Sequence, residues 1–194
     1  MKKVTIIASM ILVSITAFSQ AKVEVGLKGG LNMSSISSDQ SAVDFSNKTG
    51  YHFGAYGLIK VLSFGIQPEI LYSTKGADVS AQNVAADFSQ DFTYVDIPVM
   101  FKLYTVAGLN VQAGPQFGML VSAGGKDANG DKIDKSDFKD SDISAAFGLG
   151  WDAPFGLNLT ARYILGLSDI NPNSDSKNRT FQLSVGYKLF GLGK

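Results

Sequence analysis

The sequence has no cysteine and only one histidine in 194 residues. The absence of cysteine excludes a disulfide-stabilised fold, a thiolate metal site, a cysteine nucleophile and a lipid anchor on an N-terminal cysteine. A single histidine excludes a histidine-rich metal centre. Only 18% of the residues are charged, and 17 basic side chains balance 17 acidic ones, so nothing favours nucleic acid as a partner. The composition therefore predicts no cofactor and no metal.

Long apolar runs are also absent after Gln20. The one sustained run, residues 4–17, follows two lysines and leads to small residues that fit a signal-peptidase cut after Ser19. This run is shorter than the ~20 residues that a membrane-spanning helix needs. We therefore expect residues 1–19 to be a signal peptide and residues 20–194 to form one domain without a transmembrane helix.

What the remaining chain has in abundance is strict alternation of apolar and polar residues. In the first segment Val23, Val25 and Leu27 alternate with Glu24 and Gly26, and no apolar-phase position in any segment carries a charge. A period of two is typical of a strand with one apolar and one polar face. The pattern predicts eight strands, at residues 23–33, 51–60, 64–73, 95–103, 109–121, 143–151, 157–167 and 181–189.

The segments between these strands alternate in length, which predicts an up-and-down meander with two unequal ends. The short links are residues 62–63, 105–108 and 154–156. The long polar segments are residues 34–49, 73–91, 122–142 and 168–178. In a membrane barrel the short links would be periplasmic turns and the long segments extracellular loops.

Alternation alone leaves two architectures open, because the apolar face points inward in a soluble barrel and toward lipid in a membrane barrel. Glycine crowds the polar phase, where it would weaken a solvent-facing strand but leaves space in a narrow lumen. Aromatic residues gather at both ends of the apolar phase, as at two bilayer interfaces. Lipid also requires a closed sheet. We expect an all-β fold, an eight-stranded antiparallel up-and-down transmembrane β-barrel in a Gram-negative outer membrane.

Eight strands leave an interior just wide enough for side chains, so the lumen should be plugged. Charges of both signs lie on the inward phase, and an unpaired buried charge would be costly, which predicts a network of ion pairs. We expect Arg162 to lie among inward carboxylates such as Glu69 and Asp96. The alternative is that these charges lie near the strand ends and pair only with water. The predicted network consists of Glu24, Lys28, Lys60, Glu69, Asp96, Lys102, Arg162 and Lys188.

His52 is the only imidazole, on the inward phase near the long-loop end of the second strand. A barrel enzyme would need a nucleophile within reach of it, and the sequence indicates none. We interpret His52 as a hydrogen-bonded residue that lines the lumen.

Five stretches resemble the outer-membrane β-barrel (porin-like, PorT-type) proteins of Bacteroidetes. They read GLKGGLN (26–32), QPEILYSTKG (67–76), YVDIPV (94–99), QAGPQFG (112–118) and ARYILGLSDI (161–170). The resemblance implies a small, OmpX-like eight-stranded barrel in the outer membrane, with its lipids and the insertion machinery as partners. It brings no catalytic residues. Many outer-membrane barrels end at an aromatic residue that the insertion machinery reads, whereas in this sequence four residues follow Phe190.

Three functions remain open at this point. The first is a structural or interaction scaffold, not an enzyme, with a plugged lumen and surface loops that contact an extracellular ligand. The second is a narrow, porin-like channel for small solutes or ions. The third is a lipid-modifying or proteolytic enzyme with its site at the barrel rim.

Overall fold

A computed structural model describes residues 21–38, 44–80, 88–125, 141–167 and 176–193, which form a closed antiparallel barrel. Each strand pairs with its neighbour in chain order, and the first pairs with the last. This confirms the eight-stranded up-and-down barrel. The strands are β1 (Ala21–Ser38), β2 (Asp44–Val61), β3 (Phe64–Ser80), β4 (Phe88–Tyr104), β5 (Leu109–Gly125), β6 (Ser141–Asp152), β7 (Leu157–Gly166) and β8 (Ser176–Leu192).

The periplasmic turns are tight and use left-handed backbone conformations. Residues 62–63 join β2 to β3, with Leu62 at φ 54°. A short 3-10 turn, Val106–Gly108, leads into β5. Between β6 and β7 the turn ends at Gly156, whose φ of 94° suits a residue without a Cβ. These are the short links that the sequence predicts.

The extracellular end differs from the sequence prediction, because several strands continue into segments expected to be loops. β1 runs to Ser38, β2 begins at Asp44 and β3 runs to Ser80. Outside hydrocarbon a strand needs no apolar face, so alternation stops before the strand does. The continuation is uneven: β6 and β7 have 12 and 10 residues, whereas the other six strands have 17 or 18.

The apolar phase faces outward and the polar phase faces the lumen, as predicted. Leu27 and Val111 are 55% and 47% exposed on the outer surface. Their neighbours Lys28 and Gln112 are 3% and 4% exposed inside the barrel. No helix among the described residues is long and apolar enough to cross a bilayer.

Side chains fill the described lumen. Tyr56, Leu58 and Tyr104 form a small apolar cluster at the periplasmic end. Met100 and Ala146, with Ile164, form another farther up the barrel. Buried amides, hydroxyls and charged groups occupy the space between and around these clusters. The interior is therefore a packed polar core, as expected for eight strands.

Candidate functional site

The centre of the lumen holds an ionic cluster of three residues from three strands: Arg162 on β7, Glu69 on β3 and Lys28 on β1. The guanidinium binds both carboxylate oxygens, with Nη2–Oε1 at 2.5 Å and Nη1–Oε2 at 2.8 Å. The Lys28 ammonium lies 3.2 Å from Oε1 of the same carboxylate. All three side chains are fully buried. One carboxylate thus pairs with two cations, in the paired geometry that guanidinium and carboxylate prefer. We call these three residues the central cluster.

Amide side chains complete the hydrogen bonding of the central cluster. Gln67 Nε2 donates to Glu69 Oε1 at 2.6 Å, and Arg162 donates from Nε and Nη2 to Gln112 Oε1 at 3.1 and 2.8 Å. Gly148 lies opposite Arg162 in the β6–β7 register, where a Cβ would come within 2.8 Å of the Arg162 Cγ. A glycine at this position therefore makes space for the arginine.

A second ion pair lies toward the extracellular end. Asp96 on β4 accepts from Lys75 on β3, with Nζ at 3.0 and 2.9 Å from its two oxygens. The same ammonium lies 4.7 Å from the centroid of the Tyr94 ring. Of the two carboxylates expected near Arg162, Glu69 pairs with it, whereas Asp96 pairs with Lys75. The sequence predicts a loop at Lys75, because alternation fades after Tyr72, whereas the structure continues β3 through it.

A third cluster lies at the periplasmic end around Asp152 of β6, a residue outside the predicted strand segment. Lys102 Nζ lies 3.1 Å from Asp152 Oδ2, and the Tyr104 hydroxyl donates to the same oxygen at 2.5 Å. Asn158 donates to the other oxygen. The Lys60 ammonium lies 3.8 Å from the Tyr104 ring centroid, a cation–π contact.

Among the ion pairs of the described residues, the most exposed lie at the periplasmic mouth. Glu24 Oε1 lies 2.8 Å from Lys22 Nζ and 3.3 Å from Lys188 Nζ, and the Lys188 side chain is 28% exposed. A cavity of about 50 Å³ lies nearby, bordered by Glu24, Tyr56 and Asp152. Within the described ranges no three or more His, Asp or Glu side chains are grouped to hold a metal.

His52 is buried in a hydrogen-bonded chain with Asn32 and Ser184. Asn32 Nδ2 donates to the Thr74 carbonyl at 3.0 Å, so its Oδ1 accepts from His52 Nδ1 at 2.9 Å. His52 Nε2 is then the acceptor, and the Ser184 hydroxyl donates to it at 3.0 Å. The order serine–histidine–asparagine resembles the serine–histidine–aspartate and cysteine–histidine–asparagine sites of hydrolases. However, the three residues are at most 5% exposed, which leaves a substrate carbonyl no approach to the serine.

The outer surface carries aromatic side chains near both ends of its apolar band. At the periplasmic end Trp151 packs edge-on against Phe155, with ring centroids 6.3 Å apart, and its Nε1 donates to the Ala107 carbonyl at 2.9 Å. Nearer the extracellular end the Phe53 and Tyr72 rings lie 5.2 Å apart. This arrangement is typical of residues at the two membrane–water interfaces.

Solved structures that share this fold include the following two proteins. Ail, the attachment invasion locus protein of Yersinia pestis, in complex with the heparin analogue sucrose octasulfate, is 17% identical and superposes with a TM-score of 0.53 over 86% of this chain and 99% of its own. Neisserial surface protein A (NspA) is 11% identical, with a TM-score of 0.55 over 85% and 97%.

No curated protein matches the chain. The family model described as outer membrane protein beta-barrel domain matches residues 18–171, most of the sequence. A lipid-facing apolar surface, a closed barrel and this match lead to the same conclusion. The chain is an outer-membrane protein that belongs to the outer membrane protein beta-barrel domain family.

Proposed function

We propose that the protein is a plugged outer-membrane scaffold, which holds its extracellular segments in place and does not conduct solutes. The observation that carries the proposal is the central cluster. Arg162 on β7 and Glu69 on β3 come from strands four apart in an eight-stranded barrel, so their ion pair spans the lumen. Opening a passage there would separate buried opposite charges, which is strongly unfavourable.

The extracellular segments are the part of the scaffold that we propose meets a ligand. Six strands extend farther toward the extracellular side than β6 and β7 do. The barrel wall that carries these segments is therefore taller on one side of the barrel. Each connecting segment holds more Asp than Lys or Arg, in residues 39–43, 81–87, 126–140 and 168–175. This excess of negative charge favours a neutral or cationic ligand over a polyanion such as the heparin analogue bound to Ail.

Planar-bilayer recording of the purified barrel tests the closed lumen. The wild-type protein is expected to give no discrete conductance steps. The double variant Glu69→Ala with Arg162→Ala empties the centre and is expected to leak ions, provided that it still migrates as a folded barrel in unboiled detergent gels. Steps of constant size from the wild-type protein would favour the channel over the scaffold.

The ligand proposal has its own experiment. Wild-type barrels in nanodiscs are presented to immobilised polylysine and to immobilised heparin at physiological salt, with empty nanodiscs as the control. Retention on polylysine and not on heparin is the expected result. Retention on heparin alone would overturn the proposed charge preference.

We also propose the finer assignments that the sequence suggests. Residues 1–19 are a signal peptide, the insertion machinery of the outer membrane assembles the barrel, and the protein is an OmpX-like member of the Bacteroidetes PorT-type group. N-terminal sequencing of protein from outer membranes is expected to begin at Gln20. A sequence beginning at Met1 would contradict the signal peptide.

A further inference from the structure

Three prolines lie in the middle of three adjacent strands. Pro68 is on β3, Pro98 on β4 and Pro115 on β5, each near the centre of the apolar band of its strand. Proline has no backbone N–H, so it leaves a ladder hydrogen bond unmade and is usually restricted to edge strands. A closed barrel has no edge. Each proline therefore removes a donor from the membrane-spanning wall.

The strand pairing is interrupted beside each of these prolines. Each interruption is two residues long on both strands, as the loss of one donor bond from the ladder produces, and the same register continues on its far side. The unpaired stretches are residues 57–58 opposite 67–68, residues 69–70 opposite 97–98, and residues 99–100 opposite 114–115. We call these three stretches the proline seam, which crosses the wall from β2 to β5.

The opposite wall is continuous at this height. The β5–β6, β6–β7 and β7–β8 pairings have no gap, and β1–β8 has only a bulge at Val25/Gly26 near the periplasmic end. In hydrocarbon, water cannot satisfy the carbonyls that a proline leaves unpaired. Hydrogen bonding between strands is therefore weaker in the β2–β5 wall than in the β6–β1 wall.

Both surfaces of the seam have features that fit this weakness. On the outside, a groove of about 410 Å³ lies over the first unpaired stretch, bordered by Ala55, Gly57 and Pro68. On the inside, Glu69 projects from β3 within the second unpaired stretch, directly next to the first. Its partners Arg162 and Lys28 are each paired with a residue on both of their neighbouring strands.

We propose that the proline seam is a compliant section of the barrel wall and that the ion pairs of Glu69 are the clamp that keeps it closed. The carboxylate ties the part of β3 beside Pro68 and Pro98 to the continuous wall across the lumen. Release of the clamp allows the seam to open locally while the rest of the barrel stays folded. This conformational device goes beyond a static scaffold, and it does not depend on whether the barrel conducts.

Amide hydrogen exchange of the folded barrel in detergent micelles tests the seam directly. In the wild-type protein, seam amides opposite a proline, those of Gly57, Glu69 and Val99, are expected to exchange at least tenfold faster than Ala146 and Ile164 on the continuous wall. Equal exchange on the two walls would overturn the proposal without any variant.

The clamp is tested with Glu69→Gln, which keeps the shape of the side chain and removes its charge. Exchange at the seam is expected to rise at least tenfold more than exchange on β6 and β7. Asp152→Asn is the matched control, because it breaks a lumen ion pair away from the seam, and it should leave the seam unchanged. A rise of the same size all round the barrel, or no rise, would count against the clamp.

A third variant restores a missing donor. Pro98→Ala returns an N–H to the interruption between β3 and β4, so exchange should slow at residues 69–70 and 97 and stay the same at residues 57–58. If exchange does not slow there, the missing proline donor is not the cause of the compliance.

Discussion

The centre of the lumen and its periplasmic mouth contain the same chemistry in different surroundings. In the central cluster, Glu69 and its two cations have no exposed side-chain surface. At the mouth, Glu24 also pairs with two lysines, but Lys22 and Lys188 are 36% and 28% exposed. Water and salt screen the mouth pairs, whereas removing one central partner leaves a charge buried. Position in the barrel, more than the number of ion pairs, should therefore determine what each pair contributes to stability.

The largest effect is expected from Glu69→Ala. It leaves the Arg162 and Lys28 charges buried without a carboxylate, and breaking such a pair typically costs about 3–5 kcal/mol. Urea unfolding of the barrel in lipid vesicles, followed by Trp151 fluorescence, measures the free energy of unfolding. A loss below about 1 kcal/mol, the range of exposed pairs, would contradict the contrast between centre and mouth.

Space around the central cluster gives the next prediction. A Cβ at Gly148 meets the Arg162 side chain at 2.8 Å, and it meets the Ala161 carbonyl more closely still. Gly148→Ala should therefore cost about 1–3 kcal/mol, as overpacking does. The matched control is Gly124→Ala on β5, where a Cβ meets nothing within 4 Å and the substitution should not destabilise. Equal effects at the two glycines would show that the arginine is not tightly packed.

The sequence predicted the two faces of the wall because a strand in lipid must keep every outward side chain apolar. The orientation of Leu27 and Lys28 follows from this alternation together with the glycine-rich polar phase and the aromatic residues at both ends of the apolar phase. Which charges meet does not follow, because ion pairing across the lumen depends on the relative heights of strands, which the register sets. Asp96 thus meets Lys75, a residue beyond the end of the clear alternation. The roles of Lys75 and Asp152 depend on strand ends, where the pattern is weakest.

The Asp152 cluster lies between the two extremes and should show an intermediate effect. Lys102 is fully buried, but the Asp152 side chain is 17% exposed and also accepts from Tyr104 and Asn158. Lys102→Met removes one charged hydrogen-bond donor, and we expect a loss of about 1.5 kcal/mol in the free energy of unfolding. The same urea titration measures it. A loss as large as that of Glu69→Ala would show that Tyr104 and Asn158 do not support the carboxylate.

The smallest effect is expected from Lys188→Gln at the mouth. Glu24 keeps its contact with Lys22 at 2.8 Å, so the carboxylate is not left unpaired. The loss should stay below about 1 kcal/mol and should shrink at high salt, because exposed pairs are screened. Unfolding titrations at low and high ionic strength measure both the size and the salt dependence. A large, salt-independent loss would mean that the mouth is sealed from water as the centre is, and the proposed gradient of stability along the lumen would then be wrong.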